Sequence, residues 1–250
     1  MTERPVLFWQ PACASCRAAK GFLGEHGVEF DAVNIREADG HDRWVSSGRP
    51  LIPSLLADGV ASPILHVSQL ALLLGLEAPP QLEVSRLAWD LTAVLGGWLT
   101  LIGPLDFEML VAPTPSRGRS LRNLTVNVFH PVELLPIAFD EGRFDWDPTL
   151  DDDREAALED AAAVVGFATE RYVAWHDWLF EREPELLARD PDVDSPRGEV
   201  TYSTLLDSQR WHAAFHYRQL LAVLESSGRD LTGALSPASL RDLELPAEVF

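Results

Sequence analysis

The first third of the chain switches between two hydrophobic periods. Val6-Leu7-Phe8-Trp9 is a short apolar run of strand length, closed by the turn-like Gln10-Pro11-Ala12. From Cys13 to His26 the good helix formers Ala, Arg, Lys and Leu predict a helix, with Gly27 placed as its C-terminal stop. Val28 to Ile35 alternates apolar and polar residues with period two and predicts a strand. A polar helix or loop follows around Arg36 to Ser47. Ile52 to Gly59 then reads as a strand ending in an Asp-Gly turn, and His66 to Leu76 as a closing helix. The βαβ order at the start implies a right-handed crossover and a parallel strand pair.

Beyond Glu77-Ala78-Pro79-Pro80-Gln81 the pattern is helical almost throughout, because the two prolines mark a linker. The spacing predicts helices over 84–103, 117–140 (interrupted by prolines), 153–182 and 202–226, which together make a four-helix bundle. Asp151-Asp152-Asp153 opens the third, where the helix dipole favours acidic residues. Leu231 to Phe250 reads as an irregular tail carrying Pro237 and Pro246. The chain thus divides into an α/β domain over 1–76, a linker over 77–83 and an all-α bundle with its tail over 84–250.

Charge narrows the choice of partners. Against 39 acidic side chains stand 20 basic ones, a formal charge of 20 − 39 = −19. That excludes nucleic acid or an anionic membrane as the main partner, since phosphate binding needs clustered Lys and Arg. Met1-Thr2-Glu3-Arg4 runs straight into the first strand without an apolar leader or a cleavage site, so no secretory signal is expected. The most apolar stretch, Leu87 to Leu105, holds Asp90 and two adjacent glycines and reads as a buried core helix rather than a membrane span. The chain has two cysteines, which is too few for a disulfide-stapled scaffold and points to a reducing, cytoplasmic setting.

Cys13-Ala14-Ser15-Cys16 places one thiol at a strand-to-helix junction and the second one turn deeper. Unpaired backbone N–H groups and the helix dipole there favour thiolate over thiol. Half of a zinc site has the same spacing, but no second cysteine pair exists to complete a four-cysteine site within one chain. Two small buried residues are the plainer alternative. Phe8-Trp9-Gln10-Pro11-Ala12-Cys13-Ala14-Ser15-Cys16, then Gly27 to Ile35, then Ile52-Pro53 before a strand, resembles the glutaredoxin branch of the thioredoxin superfamily. The resemblance implies a thioredoxin-like fold, Cys13 as nucleophile, Cys16 as resolving thiol, and Pro53 as the cis-proline of the thiol-binding site. The usual Pro-Tyr between the cysteines is Ala14-Ser15, and Ala61-Ser62-Pro63 replaces the Gly-Gly-type turn that follows the last strand in the family.

His212 and His216 lie one helical turn apart on a stripe with Leu205, Leu220 and Val223, so both imidazoles point into the bundle. Inward histidines need hydrogen-bond partners or a metal. His26 and His176 read as surface or satisfied histidines, and Trp175, Trp178 and Trp211 as core. Leu205 to Leu220, with Arg122-Asn123-Leu124 through Val128-Phe129-His130, resembles the metal-binding helices of the DinB-like bundles. That resemblance implies a divalent metal (Zn, Ni or Fe) held by His130, His212 and His216, although Pro131 predicts a kink and non-helical geometry at His130. It also implies a low-molecular-weight thiol, such as glutathione, mycothiol or bacillithiol, and a small electrophile as partners, with a homodimer compatible. The functional expectation is a metal- and thiol-dependent transferase or isomerase fused to a thiol–disulfide oxidoreductase. The alternatives are a redox or metal sensor, and a plain disulfide reductase with a non-catalytic helical domain.

Overall fold

The computed structural model describes residues 4–11, 13–77, 82–115, 118–147, 151–240, 243, 245 and 249. The chain divides into two compact units, residues 1–81 and 82–250. The Pro79-Pro80 linker, the first residue of the second expected helix and Pro246 of the tail lie outside the described residues.

The first unit runs β1 (Val6–Trp9), α1 (Ala14–Glu25), β2 (Asp31–Asn34), α2 (Ala38–Ser46), β3 (Ser54–Ala57), β4 (Val60–Pro63) and α3 (Val67–Leu74). Its sheet has the order β2-β1-β3-β4, with β1 and β2 parallel and the other pairs antiparallel. This is the mixed sheet of a thioredoxin-like fold. Successive side chains of β1 point to opposite faces. Leu7 therefore joins Leu23, Leu55, Ile64 and Leu70 beneath α1 and α3, while Val6 and Phe8 pack with Val33 and Trp44 on the other face. α2 approaches the end of β2 so closely that a Cβ on Gly40 would overlap the Asn34 carbonyl.

Two details of this unit depart from the sequence reading. Ala61-Ser62-Pro63 is no turn after the last strand; it lies inside β4, an edge strand where proline's missing donor costs no ladder bond. Asp58 (φ 49°) and Gly59 (φ 80°) make the left-handed turn that folds β4 back on β3. Of the expected Val28–Ile35 strand, Asp31–Asn34 pairs in register with β1 and the Ile35 N–H donates to the Trp9 carbonyl at 2.9 Å, while Val28 and Phe30 serve as packing for the core.

The second unit runs α4 (Val84–Ile102), α5 (Phe107–Val111), α6 (Leu121–Phe129), a 3₁₀ turn (Pro131–Leu134), α7 (Leu135–Glu141), α8 (Asp151–Ala156), α9 (Ala161–Ala188), a hairpin of β5 (Asp192–Ser195) and β6 (Gly198–Thr201), α10 (Tyr202–Ser226) and a final 3₁₀ turn (Pro237–Leu240). α4 packs on α9 and α10, and α6 packs on the same two helices. Trp98 and Trp175 fill the space between them, each with its indole N–H donating to a threonine hydroxyl, Thr125 at 3.1 Å and Thr92 at 2.8 Å. That pairing removes the cost of burying a tryptophan donor. No helix among the described residues is long and apolar enough to cross a membrane.

The second and third expected helices are both broken. Pro131 does not push His130 out of helical geometry, as its φ of −59° and ψ of −49° are helical. The chain instead tightens into 3₁₀ winding, with the Glu133 N–H donating to the His130 carbonyl at 3.2 Å. The expected 153–182 helix becomes α8 and α9, because Asp160 caps a fresh start through the Ala163 N–H at 2.7 Å. α9 then runs on through Pro184 to Ala188. Proline there frees the carbonyl of Phe180, a residue 71% exposed, so water can take that bond. The β5–β6 hairpin had no signal in the expected pattern, and Gly198 turns it at φ 95°.

Candidate functional site

Register places the first site. Phe8 of β1 pairs with Ser54 of β3, so the exit of β1 toward Cys13 lies at the same sheet edge as the start of β3. Pro53 immediately precedes that start, and the Ile52–Pro53 peptide is cis. Cys13 caps α1 with extended backbone, and the Cys16 N–H donates to its Sγ at 3.2 Å. The two cysteines form a disulfide with Cα atoms 5.2 Å apart. Cys13 is half-buried whereas Cys16 is 1% exposed, so only the first sulfur is open to an incoming partner. Once reduced, the same N–H and the helix start favour negative charge on Cys13. One turn past Cys16, the Lys20 ammonium sits 2.8 Å from the centre of the Trp9 ring, and burial lowers its pKa.

The second site grows from α10. His212 and His216 meet edge to face with ring centres 4.7 Å apart. The Gln219 amide accepts from His216 Nδ1 at 2.7 Å while its own Nε2 donates to the Val249 carbonyl at 2.8 Å. This sets the amide's orientation and hence the histidine tautomer, leaving the lone pair of His216 on Nε2. His212 Nε2 donates to Asn127 Oδ1 at 3.2 Å, and Asn127 Nδ2 donates to Asp151 Oδ2 at 3.1 Å. The other oxygen of Asp151 accepts from His130 Nδ1 at 2.6 Å. His130 Nε2 stands 3.6 Å from Glu133, which also pairs with Arg154 at 3.0 Å and Arg171 at 2.9 Å.

A buried polar path therefore runs from the tail through α10 and α6 to α8. His130, Asp151, Asn127 and Gln219 are each 5% exposed or less. The pKa of His212 is pushed well below the ordinary imidazole value, first by burial and then by His216, Arg119 and Arg197. A neutral imidazole is the form that can bind a metal.

His212 and His216 lie together, as their spacing requires. His130 joins them through Asn127 and Asp151. In kind these donors fit a divalent cation, since each ring has one nitrogen held as a donor to a buried oxygen. They do not form a closed ligand set, because among the described residues no group of three or more His, Cys, Asp or Glu is placed to hold an ion. His26 bonds the Phe22 carbonyl at 2.9 Å, and His176 is half-buried, its ring against those of Trp89 and Tyr172 and its Nδ1 3.6 Å from Asp177. Sequence reasoning missed Asp151, Asn127 and Gln219. Asp151 looked like a surface capping charge, and nothing in an Asp-Asp-Asp run singles out the residue that turns inward.

The family model for glutaredoxin matches residues 6–61, which include both cysteines and Pro53. The first unit thus carries a glutaredoxin-like domain, and the match supports thiol–disulfide oxidoreduction as its chemistry. No curated protein and no solved structure matches the chain.

Proposed function

We propose that the protein is a two-site thiol enzyme, with disulfide exchange at Cys13–Cys16 and metal-assisted thiol transfer to a small electrophile in the DinB-like bundle. The observation that carries the first site is the half-buried Cys13 at the start of α1, with the Cys16 N–H on its sulfur. Cys13 thiolate attacks one sulfur of a substrate disulfide and expels the other half as a thiolate. Cys16 thiolate then attacks Cys13 Sγ, the second half leaves, and the pair ends as a disulfide. Two electrons have passed to the substrate, and two equivalents of a low-molecular-weight thiol return the pair to the dithiol.

For the second site, the support is the edge-to-face pair of His212 and His216, with the first kept neutral by burial. Gln219 and Asp151 hold the rings of His216 and His130 in fixed tautomers. A divalent metal bound there would favour the thiolate form of a small thiol at neutral pH. The reading takes a small-molecule thiol and an electrophile as partners, with the cytoplasm as the setting. The test is mass spectrometry of the chain incubated with glutathione, mycothiol or bacillithiol and a panel of small electrophiles. Expected is a thiol adduct or isomer that His216→Ala abolishes and Cys13→Ser leaves. No product with any thiol, together with no bound metal in protein purified without tag or chelator, would leave a disulfide reductase with a non-catalytic helical domain.

A further inference from the structure

A surface helix of a bundle needs one apolar stripe, and α9 has two. Val164, Ala168, Trp175, Leu179 and Leu186 are buried and form the first. On the other side of the helix Val173, Phe180 and Leu187 recur every seventh residue and are 47%, 71% and 64% exposed. Gly166 opens the same row seven residues before Val173. Gly166, Thr169, Glu170 and Val173, with Ala174, line a groove of about 450 Å³. The first four stand at i, i+3, i+4 and i+7, the four corners of a hole that receives one side chain of a facing helix. Among the described residues, nothing outside the helix backbone lies within 4 Å of where a Cβ on Gly166 would stand, so this hole is open. The spacing repeats over Val173, His176, Asp177 and Phe180, and again over Phe180, Glu183, Pro184 and Leu187. Three such sets in line extend about 30 Å along the helix, and a seven-residue repeat keeps them facing a single partner helix.

We propose that this face of α9 docks a helix of another protein, one with apolar side chains every seventh residue and Lys or Arg beside them. The charge of the face selects that partner. Glu170, Asp177 and Glu181 are exposed beside the apolar row. The cations of the same helix are engaged elsewhere, Arg171 with Glu133 and Arg182 with Glu185, each at 2.9 Å. A second copy of the chain would set these carboxylates against their own kind, between two molecules of net charge −19, so like charge opposes that occupant. A basic helix meets the opposite sign. Its apolar side chains would supply the affinity by entering the holes, and its Lys or Arg would fix the register against Glu170 and Asp177. No residue of this seam belongs to the cysteine pair or to the histidine network, so the docking does not depend on the chemistry proposed above.

The test is titration of the full chain, by fluorescence anisotropy, with labelled synthetic helices of three heptads. One carries leucine on its seam and lysine on the flanks, one has glutamate in place of the lysine, and one is a scrambled form of the lysine peptide. Expected is saturable binding of the lysine helix, one per chain, about tenfold or more tighter than either control. Phe180→Ser should weaken it about tenfold or more, since the ring is the largest apolar group on the face. Gly166→Gln, which fills the first hole and suits a helix better than glycine, should weaken it about threefold to tenfold. Both variants should melt as the parent does and keep its disulfide-reductase activity. Glu170→Lys combined with Asp177→Lys should turn the preference toward the glutamate helix. The proposal is overturned if the scrambled peptide binds as tightly, if neither single variant weakens binding, or if the charge reversal leaves the preference unchanged. It is also overturned if sedimentation shows a dimer of the chain that Phe180→Ser splits, because a second copy then occupies the face.

Discussion

Cys13 and Cys16 stand three residues apart at one helix start, whereas His130 meets Asp151 across 21 residues and His212 meets Asn127 across 85. A site of the first kind needs only a strand, a turn and the first turn of a helix. A site of the second kind exists only when α6, α8 and α10 are closed on one another. Damage to the bundle core should therefore erase the histidine network and spare the disulfide chemistry, since each unit has its own core.

The largest expected effect is at the local site. Cys13→Ser should remove disulfide reduction to background because the attacking atom is gone. Cys16→Ser should keep the first attack and trap a mixed disulfide, visible as a mass adduct on Cys13. Trapping on the other sulfur in the wild-type chain would reverse the assignment of roles.

Next comes the bundle core. Trp98→Ala should cost about 3–5 kcal/mol in urea unfolding of the second unit, since the ring is fully buried and its N–H bonds Thr125. Reductase activity should survive in the same sample. Joint loss of both would show that the two sites are not separable. Asp151→Asn keeps the size of the side chain and weakens a charge-assisted bond to His130, so a loss of about 1.5–3 kcal/mol is expected. A neutral outcome by the same unfolding assay would remove Asp151 from the network.

The smallest effect concerns Tyr202, fully buried at the start of α10 with no partner for its hydroxyl. Tyr202→Phe should be neutral or up to about 1 kcal/mol stabilising. Burial, and secondarily Asp140, pushes the phenol's pKa well above its ordinary value. The unfolded chain therefore ionises first, so stability held below about pH 10 is lost as pH rises beyond it. The phenylalanine variant should lack that contribution to the alkaline loss in a pH series of melting temperatures.

The same contrast explains what could be read from the residues alone. The Cys-x-x-C motif, the apolar run before it and Ile52-Pro53 are local, and their positions in the structure follow from the order of strands and helices. α4 and α10 were legible for a similar reason, as long apolar stripes with few internal breakers. What escaped depended on tertiary choice. β4 holds a proline that an edge strand tolerates, α9 continues past Pro184 because its freed carbonyl belongs to an exposed residue, and Asp151 differs from Asp152 only in which way it faces. The histidine pair was legible as a pair. The two residues that join it to His130 were not, because Asn127 and Asp151 are ordinary surface types until the bundle closes over them.

The central claim is that one chain holds two chemically separate sites, one of thiols and one of imidazoles. The most direct measurement is metal content and disulfide-reductase activity of the same untagged preparation, before and after chelation, for the wild type, Cys13→Ser and His216→Ala. The account predicts a divalent metal that a chelator removes, that His216→Ala lacks and that Cys13→Ser retains, with reductase activity unchanged by chelation. Metal that is lost with Cys13, or reductase activity that disappears with the metal, would contradict it.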